Sequence, residues 1–256
     1  MRSHPAWARK LWWRAKTRLK AQRRRLSFRR EFNEFKKRSD LERLPVRWSD
    51  RYPCFFDSTP VTSYDRHYVY HTAWAARVLA TTKPSVHVDI GSYLYFASLV
   101  SAFVPLQFYD YRPARLDLPG LETHAADLLS LPFKDNSISS LSCMHVVEHV
   151  GLGRYGDRLD PDGDLKAIRE LQRVLAPNGN LLFVVPVGKP KVMFNAHRIY
   201  SYNQVMEQFR DFRLMEFALI HERGDEGLLT GTTSEMVDAE NYGCGCFWFK
   251  RPEEQR

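Results

Sequence analysis

The spacing of apolar residues changes along this chain, and the changes separate helices from strands. Over residues 66–81 (RHYVYHTAWAARVLAT), Tyr70, Trp74, Ala75 and Val78 share one helical face, and Lys83-Pro84 predicts the stop. SVHVDI (85–90) is a short β-branched run of the kind a strand buried on both faces requires. Gly91 and Ser92 then predict a turn, Tyr93 to Phe103 a helix, PLQFYD (105–110) a strand, 121–125 a third strand and ISSLSCM (138–144) a fourth. The clearest helical period is DGDLKAIRELQRVLAP (162–177), with Leu165, Ile168, Leu171 and Leu175 on one face and Pro177-Asn178-Gly179 at its end. NLLFVVPV (180–187) predicts a fifth strand, 200–209 a helix, 212–220 a strand and GCFWFK (245–250) the last strand. Strands alternate with helices, so the expected fold is α/β, a doubly wound and mostly parallel sheet over residues 66–256.

The N-terminal 40 residues follow another pattern. On a helical wheel Trp7, Leu11, Trp12, Leu19 and Leu26 fall on one side, with Lys10, Arg14, Lys20 and Arg24 outside it. This is a basic amphipathic helix with tryptophan near its start, the combination that enters a headgroup boundary and meets anionic lipid. Packing of its apolar face on its own domain or on another subunit, and nucleic-acid binding, are the alternatives. Pro45 and Pro53 mark residues 41–65 as a linker.

Charge sharpens the division. The chain carries a formal +8, yet residues 1–40 hold about 15 Lys and Arg against about 3 acids, which leaves the remainder at roughly −4. The basic character belongs to the arm, so no nucleic-acid partner is expected for the domain. Cys54, Cys143, Cys244 and Cys246 form no C-x2-C pair, which favours reduced thiols and a cytoplasmic setting. No run of 18 apolar residues suits a membrane span; the thiols and the basic arm make the expected location cytoplasmic and peripheral on the inner membrane face.

The segments VDIGS (88–92), Asp110 at the end of strand two, ADLLSLPFKDNSI (126–138) and ELQRVLAPNGNLLFVVP (170–186) resemble the class I S-adenosylmethionine-dependent methyltransferases over residues 85–220. The string HVVEHVGLGRYGD, with NAHRIYS and NYGCGCFWF downstream, is similar to an uncharacterised group of methyltransferase-like proteins encoded among bacterial surface-polysaccharide genes. The resemblance implies a Rossmann-like methyltransferase sheet and S-adenosylmethionine as cofactor. Asp89, Gly91 and Ser92 would then line the amino-acid end of the cofactor, Asp110 and Tyr111 would meet the ribose, and Asp127 with Leu128 the adenine. A carboxylate offers two acceptor oxygens to a ribose diol, although an acid at a strand end also caps the next helix well. Two features depart from the family. Only Gly91 remains where two or three glycines are usual, and about ten residues separate Asp110 from strand three, short for a helical crossover.

His145-Val146-Val147-Glu148-His149 matches the H-x-x-E-H zinc-peptidase motif, to which Glu222 or Glu226 could add a ligand. That motif needs a continuing helix, whereas Gly151-Leu152-Gly153 follows at once, and no metal is expected. In the methyltransferase reading His149 or His145 is the general base and Glu148 orients it or binds a sugar hydroxyl. One of the two histidines packed beneath the loop is the plainer alternative. Arg154, Tyr155 and Asp157 in the Gly-rich loop, and Asn195, His197 and Arg198 after strand five, are the candidate substrate contacts; they are also ordinary loop residues. The expected reaction is methyl transfer to a sugar hydroxyl of a surface polysaccharide or its precursor, with a saccharide or nucleotide-sugar substrate. The competing readings are a protein of this fold that has lost the cofactor and performs other nucleotide-sugar chemistry, and a non-catalytic assembly subunit.

Overall fold

The computed structural model describes residues 24–40 and 42–253, and the chain divides into two compact units between Ser63 and Tyr64. In the first unit a helix spans residues 24–38. Phe28 and Phe32 lie 6.0 and 4.9 Å from Trp48, and Phe28 lies 5.4 Å from Phe55, so residues expected to form a linker supply aromatic partners to that helix. The apolar face expected from Trp7 to Leu19 lies outside the described residues; Leu26 is exposed. No described helix is long and apolar enough to cross a membrane.

The second unit is a sheet covered on both faces. Helix α1 (Arg66–Thr82) starts at Asp65, whose side chain accepts from the Tyr68 N–H, and ends at Lys83 in a left-handed conformation before Pro84. Then follow β1 (His87–Ile90), α2 (Leu94–Val100), β2 (Leu106–Asp110), β3 (Leu121–Ala125) and β4 (Ile138–Met144). After a short 3-10 turn at Val147–His149 come α3 (Gly163–Val174), β5 (Leu175–Val187), the hairpin β6 (Lys191–Met193) and β7 (His197–Ile199), and α4 (Tyr202–Gln208). The unit closes with β8 (Arg213–Ile220), β9 (Leu229–Thr230), α5 (Ser234–Ala239) and β10 (Gly243–Lys250).

The large sheet runs β3-β2-β1-β4-β5-β10-β8-β9. Pairs from β3 to β5 are parallel, and β10 lies antiparallel between β5 and β8. Strand order reverses between β1 and β4, which opens a crevice at their carboxyl ends. Val88, Leu141, Phe183 and Phe249 face Ile168 and Leu171 of α3 on one side, while Phe108, Met144 and Val184 face Trp74 and Leu79 of α1 on the other. Burial on both faces is why these strands read as apolar runs.

Two helices end three residues before the sequence reading places their ends. The second helix ends at Val100 and not Phe103, the chain turning through Ser101–Phe103 toward Gly120, where a Cβ would stand 2.6 Å from the Ser101 carbonyl oxygen. The helix expected to reach Pro177 stops at Val174, and β5 begins at Leu175. Pro177 holds the residue before it out of helical conformation, and Leu175 pairs with Ile138 across an irregularity in the ladder. Between β2 and β3 no helix forms; ten residues of extended chain and turns suffice, as their number suggested.

Candidate functional site

A cavity of about 320 Å³ opens at the carboxyl ends of β1, β2 and β4, within the range of small-molecule sites. Gly91 follows β1, Asp110 ends β2, Asp127 and Leu128 follow β3, and His145 and His149 follow β4; all six line it. Gly91 sits at φ +62°, where a Cβ would come 3.2 Å from both Val146 methyl carbons and 3.8 Å from Asp110 Oδ2. A glycine is needed there both for its backbone and for the space above it.

The acids expected at the strand ends separate into two kinds. Asp110 and Asp127 border the cavity, each with Oδ1 accepting one backbone N–H, from Arg112 at 2.6 Å and from Leu129 at 2.9 Å. Those bonds fix the carboxyls at the rim. Tyr111 is exposed and lines the same wall. Asp89 is instead fully buried and absent from the lining; Ser142 donates to its Oδ1 at 2.5 Å and its Oδ2 has no partner. Burial pushes its pKa up to about 7. Behind Ser142, His87 lies with its ring nitrogens 2.8 Å from the hydroxyls of Ser140 and Ser142. Ser92 likewise turns inward, its hydroxyl accepting from the Met144 N–H at 3.1 Å. The cofactor contacts expected of the Asp89 and Ser92 side chains are therefore replaced by contacts that join β1 to β4.

The H-x-x-E-H segment leaves β4 in a strained bend, with His145 at φ +58°. His145 Nδ1 lies 2.9 Å from Glu148 Oε1 and its Nε2 3.4 Å from Cys244 Sγ, so both ring nitrogens are engaged. His149 Nδ1 lies 2.5 Å from the Ala196 carbonyl, which requires a proton on Nδ1, and its Nε2 lies 3.7 Å from Glu148 Oε1. The contact of Arg154 with that same Nδ1 is then no hydrogen bond, and Arg154 donates to the Ala196 carbonyl at 3.3 Å instead. Glu148 is buried, with Oε2 unpartnered.

The expected substrate contacts are distributed unevenly. Tyr155 and Asp157 line the cavity, and the guanidinium carbons of Arg112 and Arg154 stand 4.6 and 5.1 Å from the Tyr155 ring centre. Burial would raise the Asp157 pKa, but bonds from the backbone N–H groups of Gly151, Gly153 and Tyr155 hold it below the usual carboxylate value. Asp157 thus organises its own loop. Asn195 caps the hairpin turn at φ +63°, its amide donating to Leu152, and His197 stands 4.9 Å from Tyr242. Arg198 does not reach the cavity. It is 6% exposed and donates to the carbonyls of Val150 and Pro161 at 2.7 and 3.1 Å, beside Asp164. Its expected anion-binding role is excluded by the carbonyls that already occupy it.

Solved structures share the fold that carries this site. The YcgJ protein of Bacillus subtilis matches with a TM-score of 0.50 and 13% identity, covering 72% of this chain and 98% of its own. A chain from the complex of the Haloferax volcanii Trm112 methyltransferase activator with a proposed methyltransferase matches at 0.51 and 18% identity, covering 75% of this chain and 92% of its own. The chain has the class I methyltransferase fold. Residues 134–223, from before β4 to after β8, match the family described as Caenorhabditis protein of unknown function, DUF268. An uncharacterized protein of Methanocaldococcus jannaschii is 31% identical over 100 residues, 38% of this chain and 37% of that protein's length.

Within this methyltransferase fold, the sequence reading missed Arg112 and Arg158 on the cavity wall and a cluster behind it. His67, His145 and Cys244 gather there, with His71 and Tyr242 beside them. The arginines sit in polar loops without periodicity. The two α1 histidines occupy an i, i+4 spacing on the helix's buried face, which the hydrophobic pattern absorbed.

Proposed function

We propose that this protein is an S-adenosylmethionine-dependent methyltransferase whose acceptor is a hydroxyl of a sugar in a surface polysaccharide or its precursor. The observation that carries the proposal is the cavity at the switch point, bordered by Asp110 and Asp127 and floored by Gly91 in a conformation that keeps the backbone bare. Asp110 offers carboxylate oxygens to a diol, and Asp127 with the Leu128 backbone offers acceptors and a donor to an adenine edge. These residues fit the cofactor. Bound there, it would supply an electrophilic methyl group on a sulfonium.

His149 is the preferred base over His145. His149 lines the cavity with its Nδ1 proton held by the Ala196 carbonyl and its Nε2 3.7 Å from Glu148 Oε1, whereas both ring nitrogens of His145 are engaged by Glu148 and Cys244. Tyr155 holds the guanidinium groups of Arg112 and Arg154 at its ring, and with Arg158 they offer charge to a phosphate-linked sugar. The arm of residues 1–40 would hold the enzyme at the cytoplasmic membrane face, where a lipid-linked precursor is presented.

Calorimetry with S-adenosylmethionine and S-adenosylhomocysteine tests the cofactor. Both should bind the native chain, and Asp110→Ala should bind roughly ten- to a hundredfold more weakly, the loss of one or two charge-assisted hydrogen bonds. Absence of binding at millimolar ligand would overturn the proposal and favour other nucleotide-sugar chemistry on this fold.

A further inference from the structure

We propose that His67, His145 and Cys244 form a buried zinc site that joins α1 to the ends of β4 and β10. Their ligand atoms all lie within 4.8 Å of one another, and His145 Nε2 is 3.4 Å from Cys244 Sγ. Tetrahedral bonds of about 2.0–2.3 Å place ligand atoms roughly 3.3–3.7 Å apart, so modest side-chain adjustment closes the site. Two imidazoles and a thiolate are a zinc donor set, and three protein ligands leave a fourth position.

Independent features of the surroundings favour a cation. His71 is fully buried, its Nδ1 lies 2.6 Å from the His67 carbonyl, and its Nε2 has no partner although its ring lies 5.0 Å from that of His145. A buried imidazole nitrogen is seldom left so. Glu148 holds His145 Nδ1 at 2.9 Å, the carboxylate–histidine arrangement that fixes a metal ligand's tautomer and aims the other nitrogen at the ion. A dication would balance one thiolate and the carboxylate that backs His145. The left-handed backbone at His145 completes the picture, because strain of that kind is retained where a side chain must be aimed.

Binding would form two Zn–N bonds and one Zn–S bond and release the Cys244 thiol proton to solvent. This site differs from the one suggested by H-x-x-E-H, since His149 is not a ligand and the other donors come from α1 and β10. It is also independent of the cofactor proposal, which calorimetry with the nucleoside tests separately.

The full chain, purified without chelator, should contain about one equivalent of zinc by mass spectrometry of the metal. After chelation, Co²⁺ should restore a thiolate-to-metal charge-transfer band in the near ultraviolet, and added Zn²⁺ should raise Tm. Cys244→Ser should lose the band and bind zinc at least tenfold more weakly, His67→Ala should also bind at least tenfold more weakly, and Cys54→Ser, at an exposed position, should match the native chain. Circular dichroism of each variant establishes folding. If the native chain binds neither ion at 100 µM, or Cys244→Ser keeps the native band and affinity, the site does not exist.

Discussion

Asp89 shows how one residue can read as a cofactor contact in the sequence and act as a structural acid. It lies within β1, two residues before Gly91, and its carboxyl is fully enclosed and hydrogen-bonded to Ser142. Burial raises its pKa to about 7, against roughly 3.9 in an unfolded chain. The native state therefore keeps a proton that the unfolded state releases, and stability falls as pH rises through that window. The buried His87 acts oppositely, losing stability as pH falls below about 6.5 toward 3. Comparison with Asp89→Asn isolates the acid, because the histidines remain in both proteins. Between pH 5 and pH 8 the variant should gain about 2–3 kcal/mol relative to the native chain by urea denaturation. An identical difference at both pH values would mean that Asp89 is ionised throughout.

At the scale of elements, Arg198 on β7 binds together the segment that forms the cavity's far wall. Its guanidinium reaches the Val150 and Pro161 carbonyls, and Asp164 beside it accepts from Tyr200 at 2.9 Å. A lysine has one ammonium and cannot span those groups. Arg198→Lys should cost about 2–4 kcal/mol and accelerate amide hydrogen exchange over residues 148–164. Unchanged exchange in that segment would refute the bracing role. The hairpin carrying Arg198 was not legible in the sequence, because β6 is exposed along its whole length and leaves no alternating pattern. Strands β1, β4 and β5 were legible because both their faces are buried, and α3 because its apolar face repeats over three turns. Asp110 and Asp127 could be placed because strand ends converge at a switch point. Cys244 could not be joined to His145, since 99 residues separate them and only the antiparallel return of β10 beside β5 closes that distance.

At the scale of the whole chain, charge and apolar surface concentrate toward the N-terminus. Residues 1–40 hold about 15 basic side chains and the rest of the chain is net acidic. In the unit that precedes Tyr64, Leu26, Phe35, Tyr52 and Phe56 are each more than half exposed. Exposed aromatic and aliphatic groups beside excess positive charge give an interfacial segment two sources of affinity, and they respond differently to salt. Screening shortens from about 10 Å at 0.1 M salt to about 3 Å at 1 M, which weakens attraction to anionic lipid and leaves apolar insertion intact. The full chain should float with vesicles containing phosphatidylserine at 0.1 M salt, float less at 1 M, and ignore vesicles of phosphatidylcholine alone. Replacing Arg14, Lys16, Arg18 and Lys20 by Gln keeps every apolar residue and should lower the bound fraction several-fold. A chain lacking residues 1–40 should stay in solution. Equal flotation of the truncated and full chains would place membrane affinity elsewhere, and equal flotation of the Gln variant would assign it to the apolar face alone.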